Sequence, residues 1–595
     1  MRAVEILLLV ALLLADLPGS VAQQPDLHVR RAKLKAALQD EWEYHLKINP
    51  ELATRVGDDR YNDQLSDYSA GFYATEVQHA KQYLREVEGI DTAGFPEQEK
   101  LNQILAVRSA RETIEQAKFN DWEMPVTQFG GPHLEYPNLV SETPFRSAKD
   151  YENYIARLHK LPQAFEQITA DMRLGMRDHL IPPKYLLDKV VSQAQTIVED
   201  SEQANPFNQP ALKFPKEISE SDQRRLHDAI TLTVKQEVVP AYAKFANFVH
   251  NEYAPKGRVE DGIWAIPDGD ARYLFAVRYM TTTNLAPAEI HQLGLKQVAE
   301  IESEMLGIAK RQGYSDLKTF NEHIRNDRKL YATSGRQLLE LYQHYADQML
   351  VKLPELFGNL PKNKLIIVPM ESYRAPQAVP ADYTIGSATN SRPGRINVNE
   401  YDPEHRLLLN VEAIAYHEGV PGHHLQFSIA QELPGLPPFR RFGFHYHAFS
   451  EGWAFYSERL GKDVGFYQDP YSDYGRLGNE MWRSVRLVVD TGVHYKHWSR
   501  QQMVDFFRQH TAMDEPNIQT EVDRYIAWPG QALAYKVGQM KILELRDRAR
   551  KTMGDHFDLH AFHDAVLENG ALPLDVLGTE VDHWMDARNS ADLRK

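Results

Sequence analysis

Beyond residue 25 the chain repeats apolar residues at three- and four-residue spacing over Leu27 to Leu52, Tyr151 to Met176, Ile218 to Phe248 and Pro287 to Ala309. That is the period of an amphipathic helix. Ser334 to Leu353 and Arg500 to His510 repeat the pattern, and Pro287 stands where a first helical turn tolerates proline. Strand-like segments are confined to Lys364–Met370 and to Tyr383–Val398, the latter around a turn at Arg392-Pro393-Gly394. The pattern predicts a mainly α protein with a small β-sheet. No internal repeat or low-complexity linker interrupts it. Pro-containing loops near residues 125–145 and 203–217 are the places where an N-terminal helical half could separate from the rest.

Residues 1–22 follow a different logic. Arg2 precedes an apolar run from Ile6 to Leu14, then a Pro-Gly break and the small-x-small triplet Ser20-Val21-Ala22. This is the layout of a secretory signal peptide, with cleavage expected near Ala22. The run is short for a bilayer, and no later stretch reaches the roughly 18 apolar residues of a spanning helix.

Composition narrows the chemistry. The 595 residues include no cysteine, which excludes disulfides, thiolate zinc sites and cysteine nucleophiles. Any metal must be held by His, Asp and Glu. An exported chain without cysteine and without an N-x-[ST] acceptor suits a bacterial envelope, and without a cysteine near the signal no lipid anchor is expected. The expected location is periplasmic or secreted. A formal net charge of −16 argues against nucleic acid or anionic lipid as a partner.

The informative segment runs from Tyr401 to Gln426, YDPEHRLLLNVEAIAYHEGVPGHHLQ. Asp402 and Pro403 predict a helix start, and the absence of a breaker from His405 to Glu418 predicts a helix that delivers His417-Glu418 at its far end. The zinc-peptidase motif H-E-x-x-H places its two imidazoles one turn apart. Here Pro421 occupies the second position, and the next imidazoles are His423 and His424. On a straight helix they lie roughly 9 to 10.5 Å along the axis from His417. The helix must distort near Pro421-Gly422 for the set to share an ion. Absorbing two residues favours His423 as the second ligand, with His424 behind it or facing substrate; His424 as the ligand is the alternative.

A third ligand is expected from Arg441 to Leu460, which has no proline and reads as a helix. Glu451 and Glu458 share one face, with His447 four residues before Glu451. Glu451 is the expected ligand and Glu458 the group that orients a ligating histidine. Trp453, Phe455 and Tyr456 read as core packing.

HEGVPGHHLQ, the SEGWAFYSE helix and RYIAWPGQALAYKVGQ together resemble the bacterial family named domain-of-unknown-function 885, which in turn resembles gluzincin-clan zinc metallopeptidases, the clan of angiotensin-converting enzyme and thimet-type oligopeptidases. The resemblance runs over essentially the whole mature chain. It implies a single zinc-peptidase-like domain over 23–595, two-lobed around a deep cleft, with an N-terminal helical half over 26–255 and a catalytic half over 256–590. It implies Zn2+ at the cleft floor, held by His417 and Glu451, with Glu418 as the base, and a short peptide as substrate.

The residues support the same chemistry on their own terms. Zinc with three protein ligands acidifies water, and a carboxylate beside a ligand can take its proton and return it to the leaving amine; Glu418 has that place. Tyr525 and Tyr535, flanking Pro529-Gly530, are the candidates to stabilise the oxyanion. Arg524, Arg392 and Arg395 could bind a substrate carboxylate, and Gly394–Val398 could pair with an extended peptide. Asp490 and His494, four residues apart, could steady the site. The expected function is zinc-dependent hydrolysis of short peptides. The alternatives are a zinc hydrolase of non-peptide amides or N-acyl amino acids, and a catalytically weak envelope binding protein.

Overall fold

The computed structural model describes residues 26–592 apart from 372–374, 376–377, 387–391 and 444–445; the signal segment 1–22 lies outside the described residues. Helices dominate, as the periodicity predicts, but prolines divide the longest stretches. The first ends at Ile48 and restarts with Pro50, and the second breaks between Leu158 and Leu161, ahead of Pro162. Ile218–Phe248 becomes helix Glu220–Thr233 and helix Val239–Phe248, joined by a widened turn ahead of Pro240. Pro287–Arg311 and Gly335–Lys352 are uninterrupted, the latter capped by Ser334. No described helix is long and apolar enough to cross a membrane.

Two local expectations are corrected. The helix expected over His405–Glu418 begins only at Val411. Asp402 takes a left-handed conformation (φ 51°) and caps nothing, and Pro403–His405 forms a single tight turn. Leu407 instead forms an isolated antiparallel bridge with Tyr331: Ala332 N–H donates to the Arg406 carbonyl at 2.9 Å and Leu408 N–H to the Leu330 carbonyl at 2.8 Å. The helix expected from Arg441 begins instead at His447, after a widened turn over Phe439–Gly443.

The sheet has three strands, β1 (Leu365–Pro369), β2 (Ala381–Thr384) and β3 (Gly394–Val398), in the order β1-β3-β2. β3 pairs parallel with β1 and antiparallel with β2. Both of its edges are therefore taken, which corrects the expectation that an incoming peptide could pair with Gly394–Val398. Ile396 and Val398 pack with Val411 and Ala415, so the sheet braces the helix that carries His417.

The largest hydrophobic core joins Leu34, Trp42 and Leu105 near the N-terminus to Phe449, Trp453 and Leu545 far along the chain. Residues 126–254 close around a core of their own. Helix Pro470–Tyr495 runs through the centre, with nearly all of its positions buried. Its Glu480 accepts from Lys536 Nζ at 2.8 Å and from Arg476 Nη1 at 3.2 Å, and these cations hold the carboxyl at about 2 despite burial. That ion-paired group ties it to helix Ala534–Met553, which also carries Tyr535.

Candidate metal centre

The helix bearing His417 stops at Glu418 and a new one starts at His423. Between them the backbone ladder widens. Gly419 N–H reaches Ala415, four residues back; Gly422 N–H reaches Tyr416, six back; His424 N–H reaches Gly419, five back. The surplus residues are absorbed there, in the kind of bulge that helices use to re-aim side chains. Gly422 is required by close approach, since a Cβ on it would lie 1.9 Å from the carbonyl oxygen of His417. Trp453 Nε1–H donates to the Pro421 carbonyl at 2.8 Å and pins the turn.

This folding brings His417 and His423 to one place, their rings perpendicular with centroids 5.0 Å apart. Glu451, on helix His447–Asp463, completes the group: its Oε2 is 3.6 Å from His417 Nε2 and 3.6 Å from His423 Nε2. All three ligand atoms fall within 4.8 Å of one another. Ligands about 2.1 Å from a tetrahedral zinc ion are about 3.4 Å apart, close to the His–Glu spacing seen here.

The donors fit such an ion by a second criterion. Glu451 Oε2 is buried without a hydrogen-bond partner among the described residues. Behind His417, Nδ1–H donates to Glu458 Oε1 at 2.8 Å, which turns Nε2 toward Glu451. Burial pulls the His417 pKa down, but the Glu451 and Glu458 carboxylates outweigh it and raise it to about 10. Glu451 stays well below the usual carboxylate range, because the two histidines outweigh its burial. Glu418, next to His417, is pushed up by burial, with His417 and His423 opposing that shift.

The other residues singled out in the sequence are placed as follows. His424 is not free to face substrate: Nε2–H donates to the Asn363 carbonyl at 3.1 Å and Nδ1 accepts from the Tyr383 hydroxyl at 3.0 Å. Burial lowers its pKa to about 4, so the ring is a neutral brace between the helix and the sheet. Asp490 and His494 do not bond to each other. Asp490 accepts from Tyr273 at 2.6 Å and from Gly530 N–H, while His494 accepts from Ile263 N–H at 3.0 Å and donates to the Tyr525 carbonyl at 2.9 Å. Asp490 holds the turn before helix Ala534–Met553, and His494 ties Ile263 to helix Glu515–Ala527. Arg395 lies within β3, and Arg392 precedes it.

Tyr525 and Tyr535 differ sharply. The Tyr525 hydroxyl donates to Glu521 and accepts from Arg486 at 2.8 Å and from Trp482 at 3.0 Å, so its proton is committed inside the core. The Tyr535 hydroxyl accepts from Arg524 at 3.1 Å and from Gln531 at 3.5 Å, and no described residue accepts its proton. Arg524 also donates to Gln531 at 3.0 Å.

The sequence reading missed Arg483 and Arg486. Arg483 stacks on Trp482 at 4.3 Å and lies 4.0 Å from Glu458; Arg486 lies between Trp482 and Tyr535, 4.4 Å from each ring. Glu521 is the carboxylate that Arg486 shares with Arg524, and Arg483 Nε and Nη1, Arg486 Nη1 and Arg524 Nε are buried without hydrogen-bond partners among the described residues. Two arginines inside the apolar run of MWRSVRLVV were the available signal.

Comparison with known proteins adds the following. The model of the family described as "Bacterial protein of unknown function (DUF885)" matches residues 50–581. No curated protein matches. Among solved structures, a Colwellia psychrerythraea protein provisionally described as a lipoprotein is similar at 28% identity and TM-score 0.89, over 94% of this chain and 99% of its own. A protein of Shewanella oneidensis, provisionally described as a lipoprotein of unknown function, shares the fold at 14% identity and TM-score 0.70, over 92% of this chain and 99% of its own.

Proposed function

The chain belongs to the bacterial DUF885 family, and we propose that it is a zinc-dependent hydrolase of peptide bonds in short peptides, working in the periplasm or outside the cell. The observation that carries this reading is the convergence of His417, His423 and Glu451, with ligand atoms within 4.8 Å, next to a half-buried Glu418. The similar structures described as lipoproteins favour an envelope location; this chain has no cysteine to carry lipid, so we read it as a released form.

Zinc bound by these three residues would supply a Lewis acid that polarises the scissile carbonyl and acidifies water. Glu418 takes the proton of the attacking water and returns it to the leaving amine. Its raised pKa makes it a better acceptor than an exposed carboxylate. Glu458 fixes the His417 ring and its tautomer. Tyr535, whose proton is uncommitted, donates to the oxyanion, while Tyr525 holds Arg486 in place. Arg524, beside Tyr535, meets a substrate carboxylate.

The test is metal analysis followed by one substitution. Purified protein should carry about one zinc per chain, and Glu418→Gln should keep it while lowering turnover of a peptide library by about 10²–10⁴-fold. A Glu418→Gln variant working at the wild-type rate would overturn the assignment. Cleavage of N-acyl amino acids but not peptides would shift the reading to the non-peptide hydrolase.

A further inference from the structure

A second feature of the molecule has nothing to do with the metal group. Helices Leu27–Ile48, Ala70–Glu88 and Glu97–Gln116 enclose, with the turn Asp121–Glu123, a cavity of about 580 Å³. That is the size range of sites for drug-sized ligands. None of His417, Glu418, His423 and Glu451 lines it.

The walls combine aromatic rings with carboxylates. Tyr44 stacks on His79 with centroids 3.6 Å apart, and Tyr73 on Trp122 at 4.8 Å. These rings are only half-buried, so the cavity is reached from solvent. Glu41 and Glu76 stand among them. Glu41 is 2.7 Å from His79 Nε2, and Glu76 accepts from the Tyr44 hydroxyl. The partner of Glu76 is thus a neutral phenol, and no described lysine, arginine or histidine forms an ion pair with it. Asp121, the remaining acid of the lining, is ion-paired to Arg272. No lysine or arginine is among the described residues of the lining.

We infer that this cavity binds an organic cation, an ammonium or guanidinium group on an apolar or aromatic body, through Glu76 and the Tyr73–Trp122 and Tyr44–His79 stacks. Each component is complementary to that chemistry. Ring faces attract cations within about 6 Å, most strongly where water is displaced. An unneutralised carboxylate adds Coulomb attraction in a partly desolvated space. A neutral apolar ligand would gain the rings but would desolvate Glu76 without return. The cation can come from a free amine or from a lysine or arginine side chain of a peptide; the chemistry is shared, and the ligand series separates them.

Tryptophan fluorescence of the full-length, zinc-loaded protein can report binding, because Trp42 and Trp122 line the cavity. The first comparison sets benzyltrimethylammonium against its neutral isostere neopentylbenzene; the second sets acetyl-Phe-Lys-amide against acetyl-Phe-norleucine-amide. The cationic member of at least one pair should bind about tenfold or more tightly than its neutral mate, and the pair that shows the preference identifies the source. Glu76→Gln, which can still accept from Tyr44, should cut the preference by about threefold or more while leaving zinc content unchanged. Equal affinities within both pairs would overturn the proposal, as would a preference undiminished by Glu76→Gln. The wild-type comparison stands without any variant, and neither measurement depends on whether the metal site hydrolyses peptides.

Discussion

Glu458 stands directly behind His417: its Oε1 accepts from His417 Nδ1–H at 2.8 Å, while Oε2 accepts from Asn479 Nδ2–H at 3.3 Å. The pair joins the short helix Val411–Glu418 to helix His447–Asp463, seven positions beyond Glu451 on the same face. One helix therefore supplies both a carboxylate that faces the ligand atoms and a carboxylate that aims one of them. Tyr467 reinforces the arrangement, donating its hydroxyl to the Glu458 carbonyl at 2.8 Å and its backbone N–H to Glu412 at 3.1 Å.

Replacing Glu458 by Gln keeps an acceptor for His417 but removes the charge that makes Nε2 a stronger donor to a metal. Zinc affinity should fall by about 10–100-fold, the usual range for the partner of a ligating histidine. Competition with a chromophoric chelator measures this directly. An unchanged affinity would mean that the Glu458–His417 contact is only structural.

The two helices that frame the site cross through glycine. A Cβ on Gly538 would lie 1.9 Å from the Ala448 carbonyl oxygen and 2.7 Å from Gly452 Cα, and backbone atoms cannot swing aside as a side chain can. Gly538→Ala must push helix Ala534–Met553 away from the one that carries Glu451. The expected cost is about 1–3 kcal/mol in urea unfolding, with weaker zinc binding because Glu451 moves with its helix. A variant with wild-type unfolding and wild-type zinc affinity would show that the crossing relaxes without disturbing the ligands.

Much of this architecture was readable from the chain, and the exceptions have physical causes. Helical periodicity marked long helices such as Pro287–Arg311 and Gly335–Lys352, and the six-residue spacing of His417 and His423 required the bulge that Gly419 and Gly422 provide. The run Leu407–Leu409 misled because apolar residues without a breaker suit a bridge and turn as well as a helix, and only the pairing with Leu330–Ala332 decides. His424 was ambiguous for a related reason. One residue along a distorted turn reverses the direction of a side chain, and the partners that claim it, Asn363 and Tyr383, are remote in sequence. Arg483 and Arg486 escaped notice because single charges on a helix usually face water, whereas helix Pro470–Tyr495 is buried nearly all round.

Asp490 gives a pH signature independent of the metal. Complete burial pushes its pKa up to about 7, with the hydrogen bonds from Tyr273 and Gly530 opposing that rise. In the unfolded chain an aspartate titrates near about 3.9. Between those values the unfolded state has released the proton and the folded state keeps it. Folded stability from this group is therefore complete below pH about 4 and falls as pH rises to about 7. Asp490→Asn keeps an oxygen for both donors and removes the titration. Urea unfolding of the two proteins should show the wild type losing ground to the variant from pH 5 to pH 7 and holding a constant difference above pH 8. A difference that does not change over that range would place the Asp490 titration elsewhere.

The two tyrosines beside the Pro529-Gly530 turn should respond to the same chemical change in opposite ways. Tyr525→Phe removes a hydroxyl that serves Glu521, Arg486 and Trp482 at once, all within the core. Leaving those groups unpaired should cost about 1–3 kcal/mol or more of stability. Tyr535→Phe removes an acceptor for Arg524 and Gln531 but strands no buried carboxylate, so its effect on unfolding should be small. Its effect on catalysis should be large, with kcat lowered by about 10²–10³-fold and KM little changed, as for loss of an oxyanion donor. The discriminating measurement is the pair of unfolding curves beside the pair of kcat values. If Tyr525→Phe folds like the wild type yet loses turnover, while Tyr535→Phe retains it, the donor is Tyr525, and the hydrogen bond to Glu521 must open when substrate binds.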